Sequence, residues 1–292
     1  MIKTFFKLFL ATVLYTILFM VANALLPFSH EFRDLGSSGN PMDLLFFLIS
    51  STWICFTIFF VVRHTQYSGK KLFISLVLVL FFIQYFMTQI ETLFFGHAFT
   101  ALTKMDIILI MLAGLFPTIG VVALLVKLFQ NKNIEYVKNK INIKEITAKL
   151  SIIGIIYLIV YMLFGYFVAW QFDELRLFYT GSTDKLSFVG QMVNISRTNP
   201  ITFPFQIIRG ILFGLAIVPI KNMIGNKKYF KISVCLLYLC TAIVLIIPNV
   251  LFPDIVRIAH LIEMFSSMLI FGIIVGIIFC YNNSKKPALN TR

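Results

Sequence analysis

Charge is what this sequence lacks most. Only 13% of its 292 residues are charged, where soluble globular chains carry about 25%. No polar stretch is long enough to fold as a separate soluble domain. Acidic residues are the scarcer sign, 12 against 25 basic ones. Cysteine and histidine are few, four of each. Cys55, Cys235, Cys240 and Cys280 all fall inside apolar runs, without metal-site spacing, which argues against an oxidised framework and for inert thiols. No nucleotide-binding loop, zincin motif, Gly-x-Ser-x-Gly elbow or catalytic triad is present. Neither Asp173-Glu174 with His260 nor Cys240, Arg257 and His260 has the spacing of a membrane-enzyme motif. No metal and no cofactor is expected.

What is abundant is uncharged apolar sequence, 59% of the chain being hydrophobic. Seven long runs carry no charge: 8–29, 44–62, 72–90, 107–126, 150–172, 232–253 and 264–284. An eighth, 198–220, is broken only by Arg209. A bilayer-spanning helix needs about 20 such residues at ~1.5 Å rise each. Irregular backbone cannot face lipid, because its N–H and C=O groups find no partner there. The expected fold class is therefore all-α, a polytopic integral membrane protein with about eight transmembrane helices. The first run follows Lys3 and Lys7 like a signal peptide. It is long for one and lacks a small-residue cleavage site, so it reads as a retained helix.

Basic residues sort these helices across the membrane. Eighteen of the 25 fall at the N-terminus, in the second, fourth and sixth loops and at the C-terminus. The other seven are Arg33, Lys104, Arg176, Lys185, Arg197, Arg209 and Arg257. The positive-inside rule makes the first side cytoplasmic, with both termini there. Ten of the 12 acidic residues lie toward the opposite face. Such a rim favours membrane lipids with anionic headgroups. It gives no sign of nucleic-acid binding, since no basic patch interleaved with aromatics stands on a soluble module. Loops rich in Lys, Asn and Ile suit a bacterial inner membrane.

The chain divides into a first four-helix half (1–130), a basic cytoplasmic linker (131–148) and a second half (149–292). Ile134, Val137, Ile141 and Ile143 give the linker the pattern of a short surface helix. Echoes suggest a parallel duplication. Lys7, Tyr15 and Met20 fall on Lys149, Tyr157 and Met162. Asn40-Pro41 and Asn199-Pro200 precede the second helix of each half, where Asn can cap and Pro can open a helix. Gly69-Lys70-Lys71-Leu72-Phe73 echoes Asn226-Lys227-Lys228-Tyr229-Phe230.

Polar residues within spans mark the candidate site, because burying them in lipid is costly. Arg209 is the deepest, with Gln206 one turn earlier, and Gly210 and Gly214 would let another helix approach. Gln84, Thr88 and Glu91 form one stripe at i, i+4 and i+7 on the third helix, and Glu91 is a partner candidate for Arg209. His260, Glu263 and Ser267 share a face at the start of the eighth. Glu31, Arg33 and Asp34, and Asp173, Glu174 and Arg176, read as surface ion pairs or a site mouth. Tyr166, Phe167 and Trp170 read as interfacial anchors. Asn194-Ile195-Ser196 fits a glycosylation acceptor.

The expected substrate-binding set is Arg209, Glu91, Glu263, His260, Gln84 and Gln206, in the outer half of the bilayer. The leading function is a transporter or lipid-handling permease, with Arg209 holding a small anionic or lipid-linked substrate. The alternatives are an outer-face membrane enzyme using His260 and Glu263, or a non-catalytic assembly or immunity partner with a filled core.

Overall fold

A computed structural model describes residues 2–36, 40–131, 142–249 and 251–281. The expected surface helix at Ile134, Val137 and Ile141, and the basic residues Lys285, Lys286 and Arg292, lie outside that set.

The protein is an all-α polytopic membrane protein, with no strand among the described residues. Eight helices are long and apolar enough to cross a bilayer: α1 (Ile2–Leu25), α3 (Pro41–His64), α4 (Gly69–Phe94), α5 (Lys104–Phe129), α6 (Ile143–Gln171), α9 (Thr202–Met223), α10 (Lys227–Ile246) and α11 (Asp254–Cys280). Between them lie three short helices, α2 (His30–Gly36), α7 (Asp173–Thr180) and α8 (Phe188–Thr198). Large apolar side chains such as Ile74, Leu78, Phe116 and Ile159 point outward and are exposed. That belt suits hydrocarbon and not water.

Local chemistry sets the helix starts. Asn40 and Asp43 form a capping box at α3, with Pro41 in its first turn. Thr103 and Asp106 do the same at α5. Asp106 also accepts from the Ser29 backbone and hydroxyl, both at 2.8 Å, tying the end of α1 to the start of α5. The second Asn-Pro pair acts differently. Asn199 ends α8, and its carbonyl accepts from Thr202 N–H, so α9 begins two residues beyond Pro200.

Lys7 lies over the Phe129 ring at the start of α1, and Lys149 donates to the Tyr281 carbonyl at 2.8 Å. The described ends, Ile2 and Tyr281, therefore share the proximal end of the bundle. The opposite, distal end carries α2, α7 and α8.

The two halves pack alike. In the first, α1 contacts α3 and α5, and α4 contacts α5; in the second, α6 contacts α9 and α11, and α10 contacts α11. Across the middle, α3 meets α10 and α4 meets α9. The buried faces repeat too. Ser50, Ser51, Ile54, Cys55, Thr57, Ile58 and Val61 are buried on α3, and Arg209, Gly210, Phe213, Gly214, Ala216, Ile217 and Ile220 at the same spacing on α9. Helix α4 starts after its N-cap Ser68 and α10 after Asn226. Their registers thus align one residue away from the Gly69–Phe73 echo.

Helices α6 and α9 approach closely. A Cβ at Gly210 would stand 2.9 Å from the Gly154 Cα. Only glycine allows that approach.

Candidate functional site

Helix α4 does not run as one α-helix. Phe81–Phe86 forms a π-helical turn, with Ile83, Gln84 and Tyr85 buried. The wider turn splits the expected Gln84–Thr88–Glu91 stripe. Gln84 faces the first half, where its amide reaches the Tyr15 hydroxyl at 3.5 Å beside a Tyr15–Tyr85 hydroxyl pair. Thr88 turns its hydroxyl back to the Gln84 and Tyr85 carbonyls. Glu91 faces the second half.

There Glu91 meets Arg209 in a two-pronged ion pair, both N–O distances being 2.6 Å. Gln206 accepts from the same guanidinium at 2.9 Å and the Met87 carbonyl at 3.3 Å. Arg209 is 2% exposed, and its Nε has no partner among the described residues. The rings of Tyr157, Phe205 and Phe213 surround the guanidinium. A permanent charge in this setting is tolerated because it is paired.

Beside the pair opens a distal cavity of about 560 Å³. Its walls come from α4, α6, α10 and α11 and from the short helices α7 and α8. Aromatic and aliphatic side chains dominate, among them Phe95, Tyr157, Tyr161, Trp170, Tyr179 and Phe252. Glu91, Glu263, His97 and His260 supply its carboxylates and imidazoles. Among the described lining residues there is no lysine or arginine.

On α11, the Glu263 carboxylate accepts from the Ser267 hydroxyl at 3.3 Å and stands 4.0 Å from His260 Nδ1. The other imidazole nitrogen, Nε2, lies 3.0 Å from the Tyr179 hydroxyl. Burial raises the Tyr179 pKa above its ordinary value, so its hydroxyl keeps its proton at neutral pH. Tyr179, His260 and Glu263 thus form one polar chain along an apolar wall.

Five of the six expected site residues cluster here: Glu91, Glu263 and His260 line the cavity, and Gln206 and Arg209 stand behind Glu91. Arg209 itself is not on the cavity wall, and Gln84 belongs to the first-half seam. Among the described residues, no group of three His, Cys, Asp or Glu side chains could hold a metal ion.

The paired acidic and basic residues of the loops have another role. Arg176, 4% exposed, pairs with Asp173 and donates to the Trp170 and Thr183 carbonyls. Arg257 pairs with Asp254 at 2.9 Å and donates to the Leu245 and Ile246 carbonyls. Each arginine occupies the first turn of one helix and donates to carbonyls at the end of the helix before it, Trp170 for Arg176 and Leu245 and Ile246 for Arg257, while Arg176 also holds the Thr183 carbonyl beyond its own helix. They are clips, not surface pairs.

Helix α8 carries cavity residues that patterning did not place at the site; in the sequence Asn194 and Ile195 read only as part of a glycosylation acceptor. Gln191, Met192, Asn194, Ile195 and Thr198 line the cavity, while Val189 and Val193 on its other side are exposed. Their 3–4-residue spacing was visible; which side had a partner was not.

The halves diverge at this site. On α5 and α11 the buried positions coincide over Val121–Phe129 and Phe271–Phe279. They part at Ala113-Gly114, which are buried, and Glu263-Met264, which border the cavity. In the first half the Tyr85 ring packs against Gly114, and a Cβ there would collide with it.

No family model, no curated protein and no solved structure matches the chain.

Proposed function

We propose that this membrane protein is a transporter or lipid-handling permease whose distal cavity takes an amphiphilic molecule, and that its halves are a parallel repeat. One observation carries the reading: the cavity of about 560 Å³ is walled mainly by apolar and aromatic side chains and holds a minority of polar groups, Glu91, His260 and Glu263 among them. Small-molecule sites have this composition, with a few polar groups fixing orientation. The reading is supported by a lining drawn from α4 on one side and from α6, α10 and α11 on the other, since repeat-built transporters hold substrate at the seam between repeats. Asymmetry supports a site more than a scaffold, because one half fills the equivalent space with Tyr85 and the other does not. The biased distribution of lysine and arginine assigns the proximal end to the cytoplasm and the cavity to the outer half of the bilayer.

Trp170 gives a direct test, since it lines the cavity and the chain has only one other tryptophan, Trp53. In a Trp53→Phe background, a soluble brominated amphiphile should quench Trp170 saturably. Gly165→Phe should remove the saturable phase, because Gly165 borders the cavity and has open space where a side chain would start. Quenching that is linear and unaffected by Gly165→Phe would mean that no molecule enters.

A second reading rests on the Tyr179–His260–Glu263 chain, which has the groups of an acid–base site on a lipid-linked substrate. It predicts chemically altered substrate in detergent, where a permease leaves the molecule unchanged.

A further inference from the structure

We infer that the ligand of the distal cavity is an organic cation, an apolar or aromatic body bearing an ammonium-type charge; this rests on the cavity being a binding site. The sequence pointed to the opposite sign, with Arg209 as an anion holder. Three observations reverse it.

Arg209 is already neutralised. Glu91 engages it with both oxygens, Gln206 takes a further N–H, and the guanidinium stands behind the cavity wall. An anion would have to displace Glu91 from a buried pair to reach it. The lining itself bears carboxylates and no lysine or arginine among its described residues. With Glu91 matched by Arg209, Glu263 is the carboxylate left without a permanent countercharge. Its neighbours are a serine hydroxyl at 3.3 Å and an imidazole at 4.0 Å, the latter charged only when protonated.

The aromatic walls act in the same direction. Tyr157, Tyr161 and Tyr179 all border the cavity, and all three sit within electrostatic range of both Glu91 and Glu263. Ring faces attract cations and repel anions, and desolvation strengthens the effect. A carboxylate among tyrosine rings is an arrangement that selects quaternary and protonated amines. His260 adds a condition. When protonated it is Glu263's own countercharge, and a bound cation would face repulsion from it. Glu91, Arg209 and His97 are the other charged or titratable neighbours apart from the tyrosines.

The test uses two ions of nearly the same shape and opposite charge, tetraphenylphosphonium and tetraphenylborate, in equilibrium dialysis against the full-length protein in neutral detergent. The cation should bind saturably and outcompete the anion by at least about tenfold, within the range of a cation–π contact. Glu263→Gln, which preserves shape and the serine contact, should abolish that preference. Equal binding of both ions, or preference for the borate, overturns the inference while leaving the cavity a binding site. Binding of neither ion, with Trp170 quenched by the brominated amphiphile, also overturns it. Binding of neither, with no saturable quenching, removes the proposed function itself. Wild-type selectivity decides the matter even if Glu263→Gln fails to fold.

Discussion

Removing either side of the Arg209–Glu91 pair should destabilise the protein, but not equally. Glu91→Gln leaves a guanidinium that is 2% exposed, with Gln206 at 2.9 Å and the Met87 carbonyl at 3.3 Å as its polar contacts and Nε unpaired. Arginine does not shed its proton in a protein, so the charge stays buried. Breaking a buried pair in this way costs about 3–5 kcal/mol. Arg209→Met leaves the other partner, whose side chain is 26% exposed at the cavity. That carboxylate can be hydrated or take up a proton, so the loss should be nearer ~1–2 kcal/mol. Replacing both with Met removes the desolvated charges together and should recover much of the Glu91→Gln loss. Thermal denaturation of purified protein in detergent reads the order. The Glu91→Gln midpoint should fall on the order of 10 °C, Arg209→Met by less, and the double variant between Glu91→Gln and wild type. Two neutral single variants would falsify the claim that Arg209 sits in a dry site. A larger loss for Arg209→Met would mean that Glu91, not Arg209, is the buried charge.

Other consequences can be measured alongside. Gly210→Leu should force α6 and α9 apart, costing about 1–3 kcal/mol by the same thermal assay, whereas Gly165→Leu, with open space around it, should cost little. Asp106→Ala removes the acceptor for Ser29 and Thr103, four hydrogen bonds between 2.6 and 3.0 Å, and should cost about 2–3 kcal/mol. In a cysteine-free background, Lys185→Cys should react with an impermeant maleimide on intact cells and Lys70→Cys only after permeabilisation; the reverse pattern would invert the assigned orientation. Tyr179→Phe deletes the hydroxyl partner of His260 and should shift the pH dependence of cation binding without changing the fold, as circular dichroism would report.

Much of the architecture is written in residue types. Eight stretches are too apolar and too long for water, and the backbone leaves helix as the only form they can take in lipid. Asn40, Pro41 and Asp43 spell a helix start because capping is local. Even the partnership of Arg209 and Glu91 was legible: two opposite charges at similar depth in lipid have few other ways to be satisfied. Gly210 signalled a close helix contact for the same reason, a backbone surface with nothing projecting from it.

The tertiary structure decided what those residues are for. Period counting assumed a regular helix, and the π-helical turn at Phe81–Phe86 sent Gln84 to one half and Glu91 to the other. Charge counting could not show that Arg209 would be walled off while Glu263 remained beside open space, because exposure depends on which neighbours fill a volume. Arg176 and Arg257 look like surface charge in one dimension; only the folded chain brings them to the carbonyls they cap. Sequence fixes the chemistry each residue can offer, since that is a property of the side chain. The void between the helices belongs to no single residue: Glu263 borders open space because the surrounding helices leave it unfilled, whereas Gly114 is packed by the Tyr85 ring.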